Sequence, residues 1–534
     1  MTIPWLTLAI AIPALGALGV AVTPRLAAEA VKRATLAVTL LTLAVVAVLA
    51  VNFDPSGARF QFTETYPWIP RFGVHYAVGI DGIALVLIAL SALLVPLVVL
   101  AAWREFEVSD PAADPAGAAQ SARDIRGYFA LILVLEAMMI GVFAATDVFL
   151  FYVFFEAMLI PVYFMIGRYG RGPAAQRRQA AVKFLLYSLL GGLLMLVAVI
   201  GVYSFSAAAG QGTFLWSDLV GAEGLLAGLD PTASRWLFLG FFVAFAIKAP
   251  MWPVHTWLAP AAGSARPGTA VLLVGVLDKV GTFGMLRYCL ELFPGAATWF
   301  VWPVVVLSLI SIIYGAIVAV GQSDMLRLIA FTSVSHFGFI TLGIFAMTSQ
   351  GQSGATLYMV NHGFSTGALF LIVGFLVARN GSAAIADYGG VQKVAPLLGG
   401  TFLIAGLSSL ALPGLSPFVS EFLVFLGTFA FNPVPAIIAT AGVVLAALYI
   451  LWMYQRTMTG PTPERVSGLR DLSGREMWAV GPLIALIILF GCYPQPLLDV
   501  INPAVGHTMQ QVGVTDPAPA IGDQVAESQE GASE

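Results

Sequence analysis

The sequence predicts an all-α polytopic membrane protein of about fourteen transmembrane helices, built around two inverted five-helix repeats. Of its 534 residues, 59% are hydrophobic and only 10% are charged, whereas about a quarter of the residues in a typical soluble domain are charged. The apolar residues also fall into runs of about 20, the length that a helix needs to span a bilayer. Finally, the basic residues gather on one side of these runs, which is typical of polytopic membrane proteins.

Fourteen apolar runs account for most of the chain, and the segments between them are short. The runs cover residues 3–22, 34–51, 77–102, 127–145, 147–167, 180–205, 235–257, 268–290, 299–320, 328–348, 354–378, 398–430, 434–455 and 477–500. No basic segment precedes the first run, so we expect a membrane helix there rather than a cleaved signal peptide.

The runs group into five predicted regions. These are helices 1–3 in residues 1–126, a first five-helix repeat of helices 4–8 in 127–290, a second repeat of helices 9–13 in 299–455, helix 14 in 456–500, and an acidic outer tail in 501–534. We therefore expect one membrane domain and no separate soluble domain.

Lysine and arginine residues predict the orientation of the chain, because they accumulate on the cytoplasmic side of a membrane. If the N-terminus is outside, eighteen of the 25 Lys and Arg residues fall on the inner side, four fall on the outer side, in loops or at the outer ends of runs, and three lie deeper within runs. A missed helix would mix the first two groups. We therefore expect both termini, including the acidic tail, on the outer side.

The seventh and twelfth runs each combine helix-breaking residues with an ionisable residue, Lys248 and Glu421 respectively. The helix-breaking positions are Pro250 and Pro253 in the seventh run, and Pro413, Gly414 and Pro417 in the twelfth. Breaks at membrane depth are tolerated where the chain lines protein or water, and paired broken helices indicate internal repeats around a transport path. Because the two runs are an odd number of helices apart, we expect the second repeat to be inverted.

Ionisable side chains recur within the central runs, from the fourth to the twelfth. They are Glu136, Glu156, Lys183, Lys248, Lys279, His336, His362 and Glu421. Such residues are rare within spans and often mark ion paths or proton relays. Since each of these groups can exchange a proton, the series predicts a proton path through the centre of the chain.

Some of these residues also have a purely structural interpretation. Lys183 lies about one turn from a loop, so its ammonium could extend to the membrane interface. His336 and His362 could each be neutral packing residues. Asp278 is adjacent to Lys279, but consecutive residues on a helix point in different directions, so we do not assume that Asp278 neutralises that lysine.

The sequence also excludes several kinds of bound group. Its two cysteines, Cys289 and Cys492, lie apart, with no Cys–X–X–Cys or Cys/His cluster, which excludes a cysteine-ligated iron–sulfur cluster or structural zinc site. Glycine-rich phosphate loops are absent from the sequence as well. We therefore expect no cofactor or metal in this chain, and no nucleic-acid partner.

Seven segments of the chain carry a resemblance to a known family. They are "FYVFFEAMLIPVYFMIG", "AAVKFLLY", "FAIKAPMWPVHTWL", "GVLDKVGTFGMLR", "MLRLIAFTSVSHFGFI", "NHGFSTGALFLI" and "LSPFVSEFLVFLGTF". In these segments the sequence resembles the antiporter-like membrane subunits of respiratory complex I, and most closely the M-type subunits of NADH–quinone oxidoreductase. The M type has glutamate in the broken twelfth helix, where L- and N-type relatives and Mrp-type antiporter subunits generally have lysine. This chain has Glu421 there.

The resemblance implies proton translocation in a bacterial plasma membrane, driven by quinone reduction in other subunits that hold FMN and iron–sulfur clusters. It also implies L- and N-type neighbours and surrounding lipid as partners. The functional residues that it implies are the pair Glu156 and Lys248, the midplane carriers Lys279, His336 and His362, and the outlet Glu421.

The chain departs from the family pattern in one loop, and two other functions stay open. The family typically reads Trp-Leu-Pro-Asp-Ala-His after the seventh helix, whereas this chain reads "TWLAPAAGSARPGT", so no role is carried over for that Asp and His. Glu136 is not required by the family pattern and is an additional candidate. The alternatives are a sodium/proton antiporter subunit of the Mrp type, which Glu421 disfavours, and a passive scaffold, which has no need of Lys248 and Glu421 beside helix breaks.

Overall fold

The computed structural model describes residues 3–23, 27–106, 115–221 and 223–517. Within these ranges the chain is predominantly helical, and twelve of the helices are long and apolar enough to cross a membrane. The predicted class of polytopic helical membrane protein is therefore confirmed.

The helices follow one another along the chain and are separated by short connections. The first part of the chain contains α1 (Trp5–Val22), α2 (Ala28–Asn52), β1 (Gln61–Ile69), β2 (Val74–Ile80), α3 (Gly82–Ala101), α4 (Pro115–Ala144), α5 (Val148–Ala157), α6 (Leu159–Gly167), α7 (Ala174–Ala208), α8 (Trp216–Leu219), α9 (Pro231–Lys248) and α10 (Leu258–Ser264). The eighth run contains α11 (Pro267–Leu272), a π-helical turn (Leu273–Leu277), α12 (Asp278–Gly284) and a second π-helical turn (Met285–Leu290). The remaining helices are α13 (Pro294–Trp299), α14 (Val301–Val320), α15 (Met325–Phe345), α16 (Ser349–Asn380), α17 (Val391–Val394), α18 (Pro396–Ser409), α19 (Ser416–Phe431), α20 (Pro433–Met458), α21 (Glu464–Ser467), α22 (Gly474–Cys492) and α23 (Gln495–Val512).

The most deeply buried helices each carry one of the central ionisable residues. The most apolar stretches of α16 and of the segment Pro267–Leu290 are 100% buried, whereas those of α1 and α2 are only 33% buried. The side chains of Lys279, His336 and His362 consequently lie in the protein interior and not against lipid.

The seventh run is interrupted where its prolines occur. Helix α9 ends at Lys248 and α10 begins at Leu258, so Pro250 and Pro253 both lie in the non-helical segment between them. Proline has no N–H to donate and its ring clashes with the preceding turn of a helix. Lys248 is therefore the last residue of α9, at the negative end of the helix dipole, which favours a cation.

The twelfth run is also interrupted, between the end of α18 at Ser409 and the start of α19 at Ser416. In this connection Ala411 and Gly414 have φ angles of 56° and 90°, which an α-helix does not contain. Pro417 lies in the first turn of α19, where its missing N–H is no loss. The twelve continuous helices and these two interrupted segments agree with fourteen crossings, but the total and the inverted relation of the two halves stay predictions.

The prediction of an all-α chain is wrong for residues 61–80, which form a β-hairpin. Strands β1 and β2 pair antiparallel, so the third apolar run, predicted from residue 77, begins as a strand. The threonine and aromatic residues of β1 favour extended structure, and β2 is apolar and largely buried, which explains why it merged with the following helix in the sequence pattern. The turn requires Gly73, because its φ is 62° and a Cβ there would lie 2.0 Å from the Gly212 carbonyl oxygen.

The predicted end of helix 14 at residue 500 is wrong as well. Helix α22 ends at Cys492, and a separate amphipathic helix α23 follows, with its apolar residues buried against the body. Tyr493 precedes a proline, and a residue in that position disfavours the helical conformation. The predicted outer tail therefore contains helix to Val512, and Asp516 accepts a 2.7 Å hydrogen bond from the backbone N–H of Ser349. The other acidic residues predicted for the tail, at 523, 527, 530 and 534, lie outside the described residues.

Candidate functional site

The first part of the site surrounds Lys248 at the end of α9. Lys248 is 1% exposed, and its Nζ has no hydrogen-bond partner. The Nζ lies 4.8 Å from the centre of the Phe155 ring, a distance that allows a cation–π interaction. The lysine ammonium thus lies near the rings of Phe155 and Phe184, without a counterion in hydrogen-bonding contact.

Glu156 lies next to this lysine, as the sequence predicts. One of its carboxylate oxygens, Oε1, is buried and has no hydrogen-bond partner. A Cβ on Gly192 of α7 would lie 1.8 Å from that oxygen, so the glycine makes room for the carboxylate. Glu156 and Lys248 interact electrostatically without a hydrogen bond between them. A change in the distance between the two charges would alter this interaction.

Lys279 occupies the centre of the buried segment Pro267–Leu290. Its Nζ donates a 2.6 Å hydrogen bond to the Val274 carbonyl oxygen and lies 2.8 Å from His362 Nδ1. Val274 belongs to the π-helical turn before α12, in which the Asp278 N–H donates to Leu273, five residues earlier. Such π-turns are frequent at functional sites because they displace carbonyls from the regular helical pattern.

A line of polar side chains continues from His362 to Glu421. The rings of His362 and His336 are 5.3 Å apart and nearly perpendicular, and the rings of His336 and Tyr358 are 5.8 Å apart. The Tyr358 hydroxyl donates a 3.1 Å hydrogen bond to Glu421 Oε2. The structure therefore brings the three predicted midplane carriers and the predicted outlet into one connected group.

Tyr358 is the member of this group that sequence reasoning missed. It precedes His362 by four residues on α16, so both side chains lie on one helix face. On the same helix, Asn361 donates a 2.7 Å hydrogen bond to the Ser416 carbonyl oxygen, at the start of α19. The four-residue spacing from a buried histidine was the available signal. Helix α16 thus carries two members of the polar group, Tyr358 and His362, and a hydrogen bond to the start of the broken helix.

Lys183 lies apart from this group, at one end of the bundle. It is half-buried on α7 and lines a cavity of about 270 Å³ together with Gln176, Gln179, Asp324 and Arg327. Burial raises the pKa of the Asp324 carboxyl at this mouth, against hydrogen bonds from the backbone of the following helix that lower it. The basic residues of the sequence predict that this end is cytoplasmic. Lys183 is therefore a half-exposed residue at the mouth of this cavity.

Two further ionisable side chains, His255 and Glu136, are buried outside this group. His255, which sequence reasoning also missed, lies in the break after α9 and is buried, with its ring 5.0 Å from that of Tyr314. Glu136 is fully buried on α4, and neither of its carboxylate oxygens has a hydrogen-bond partner. It does not join the line of contacts from Lys279 to Glu421.

Comparisons with known proteins assign the chain to a family. A family model described as "NADH:quinone oxidoreductase/Mrp antiporter, TM" matches residues 145–448. A Mycobacterium tuberculosis protein named NADH-quinone oxidoreductase subunit M is 52% identical over 97% of this chain and 96% of its own length. A Rhodobacter capsulatus protein of the same name is 40% identical over 90% of each chain.

Solved structures agree with this assignment. A chain of respiratory complex I from Thermus thermophilus with bound NADH is 32% identical, with a TM-score of 0.83 over 95% of this chain and 100% of that chain. A chain of the Mrp complex from Dietzia sp. has a TM-score of 0.82 over 96% of this chain and 100% of its own, but at 23% identity it shows the shared fold alone. The chain therefore belongs to the NADH:quinone oxidoreductase/Mrp antiporter transmembrane family, and its similarity to the M subunits over almost its whole length confirms the resemblance inferred from the sequence.

Proposed function

We propose that this chain translocates protons as the M-type membrane subunit of a NADH–quinone oxidoreductase, and that quinone is reduced in other subunits. The observation that carries the proposal is the connected line of protonatable side chains, which runs from Lys279 through His362, His336 and Tyr358 to Glu421. Glu421 lies on α19, after one helix break, and Lys279 lies on α12, which packs against the end of α9 at Gly281. FMN and iron–sulfur clusters belong, on this proposal, to the other subunits.

The pair Glu156 and Lys248 supplies the first step. A nearby carboxylate favours the charged form of a buried lysine, and its withdrawal favours the neutral form. Moving one charge across 100 mV requires roughly 2.3 kcal/mol. Two unit charges about 6 Å apart interact by about 2.8 kcal/mol at an effective dielectric constant of about 20. A shift of a few ångströms in the distance between Glu156 and Lys248 therefore changes the proton affinity of Lys248 by an amount comparable to the free energy needed to move one charge across the membrane.

The midplane carriers perform the next steps. The Lys279 ammonium gives a proton to His362 Nδ1, 2.8 Å away, which leaves a neutral amine and an imidazolium. His336, whose ring lies next to both His362 and Tyr358, receives the proton in turn. The Glu421 carboxylate is the final acceptor, and the Tyr358 hydroxyl that donates to it fixes its position.

The membrane setting and partners follow from the same proposal. The basic residues support both termini on the outer face of a bacterial plasma membrane, and the helices α1 and α2 expose apolar surface that lipid would cover. The L- and N-type membrane subunits are the expected neighbours. A sodium/proton antiporter subunit is the second candidate, and Glu421 in place of the lysine usual in that type argues against it.

Co-purification tests the proposed function directly. Tagged at its N-terminus and extracted from native membranes in mild detergent, the chain is expected to carry NADH–quinone reductase activity with it. Isolation with sodium/proton exchange activity and without NADH oxidation would contradict the proposal and favour the antiporter alternative.

Cysteine labelling tests the proposed orientation. Cys289 is buried and Cys492 is exposed, so Cys492→Ser provides a background in which one new cysteine dominates labelling. A cysteine at Arg178, which is exposed near the start of α7 on the predicted inner side, is expected to resist an impermeant maleimide in intact cells and to react after the cells are opened. A cysteine at Asp516 is expected to react in intact cells. Labelling of the Arg178→Cys variant in intact cells would reverse the orientation.

A further inference from the structure

Asp278 is a buried acid that lies outside the proposed proton path. It is the first residue of α12, directly after the π-helical turn Leu273–Leu277, and it is 0% exposed. Neither of its carboxylate oxygens has a hydrogen-bond partner. Burying an unpaired carboxylate is costly, so its position between other charged groups needs an explanation.

Packing shows which way Asp278 faces. Gly281 lies one turn later on the same helix, and a Cβ there would be 2.5 Å from the Phe245 carbonyl oxygen and 2.7 Å from the Ala249 nitrogen. This face of α12 is therefore pressed against the end of α9. Residues three apart share a helix face, so Asp278 lies on the side of α12 that meets the end of α9 and Lys248.

Lys279 points elsewhere, as neighbouring residues on a helix do. Its ammonium contacts the Val274 carbonyl and His362, and not the unpartnered oxygens of Asp278. Electrostatically, however, Asp278 acts on both Lys248 and Lys279. The acid thus stands between the first functional pair and the line of contacts that begins at Lys279.

We propose that Asp278 is the proton carrier that joins Lys248 to Lys279, an inference that rests on the proposed function. In the first transfer, the Lys248 ammonium gives a proton to the Asp278 carboxylate, which leaves a neutral amine and a neutral carboxylic acid. In the second, the acid gives its proton to the neutral Lys279 amine, which restores the carboxylate and forms an ammonium. Rotation of the Asp278 side chain between its two lysines carries the proton across.

Three variants in the complete complex test this inference, with turnover and pumping measured per assembled complex. Asp278→Asn is expected to assemble and to lower both by about tenfold or more, because loss of a proton-transfer group typically costs roughly 10²–10⁴ in rate. Asp278→Glu, which keeps a carboxyl group, is expected to recover part of the activity and to shift the pH profile of turnover. Thr282→Val is the matched control, a buried polar residue one turn along α12, and is expected to turn over normally.

The outcomes separate this inference from the proposed function. Normal turnover of Asp278→Asn beside impaired Lys248→Met would overturn the inference alone, whereas normal turnover of both Lys248→Met and Glu421→Gln would overturn the proposed function. If Asp278→Asn fails to assemble and Asp278→Asn/Lys279→Met assembles, Asp278 only balances charge and the inference is overturned. If neither assembles, an unchanged pH profile in Asp278→Glu overturns it and a shifted profile supports it.

Discussion

Lys248→Met is expected to assemble normally while quinone reduction and proton pumping fall together by about tenfold or more, since general acid–base groups contribute roughly 10²–10⁴ in rate. Methionine fills a similar volume and removes a buried charge whose Nζ has no hydrogen-bond partner. Replacing a buried ion with an apolar residue is often neutral or stabilising. Glu156, left without its lysine, can take up a proton itself. Turnover falls with pumping because quinone reduction is coupled to proton transfer, so a blocked transfer step also slows the redox reaction.

The acidic partner provides the check on this prediction. Glu156→Gln is expected to cause a similar loss, and Glu156→Gln/Lys248→Met to be little worse than either single variant, because residues that act as a pair are non-additive. The amount of assembled complex is measured alongside by native electrophoresis. Normal coupled turnover in assembled Lys248→Met would make the lysine a structural cation.

Glu421→Gln is expected to produce the second large loss. Glutamine keeps the size of the side chain and can still accept from the Tyr358 hydroxyl, which donates to Glu421 over 3.1 Å, but it cannot carry a proton at neutral pH. Assembly should therefore survive, while protons pumped per NADH oxidised, or turnover itself, should fall by about tenfold.

A control on the same helix isolates the role of the carboxyl group. Thr428 is buried on α19, two turns beyond Glu421, and carries no ionisable group. Thr428→Val is expected to keep both wild-type turnover and wild-type stoichiometry. If assembled Glu421→Gln behaves like Thr428→Val in proton ejection and NADH oxidation, Glu421 has only a structural role.

Part of this architecture could be predicted because its signals are local. Charged residues are rare in spans, and prolines close together disfavour a continuous helix, so the sequence alone could identify Lys248 and Glu421 together with their breaks. The sequence also placed Lys183 about one turn from a loop, and in the structure it lines a cavity at one end of the bundle, whereas its role stays a prediction. The family resemblance supplied the role of each residue along the proton path, which composition and spacing alone did not.

Other features depend on packing that the sequence does not express. Residues 77–80 of strand β2 are apolar and run directly into the next helix, and only the pairing of this strand with β1 distinguishes them from that helix. Tyr358 is a residue type that usually packs in cores, so its role depends on the location of Glu421. Asp278 could be placed relative to Lys248 only once Gly281 had fixed the contact between α12 and α9.

The central claim is that one continuous path connects Lys248 with Glu421, and the double variant Lys248→Met/Glu421→Gln tests it most directly. The measurement is the coupled quinone-reductase rate per assembled complex, compared among the wild type, both single variants and the double variant. If both residues serve one path, the double variant loses about as much as the more severe single variant, since steps in one path do not add. Losses that multiply, about hundredfold where each single variant loses about tenfold, would show two independent functions and contradict the continuous path.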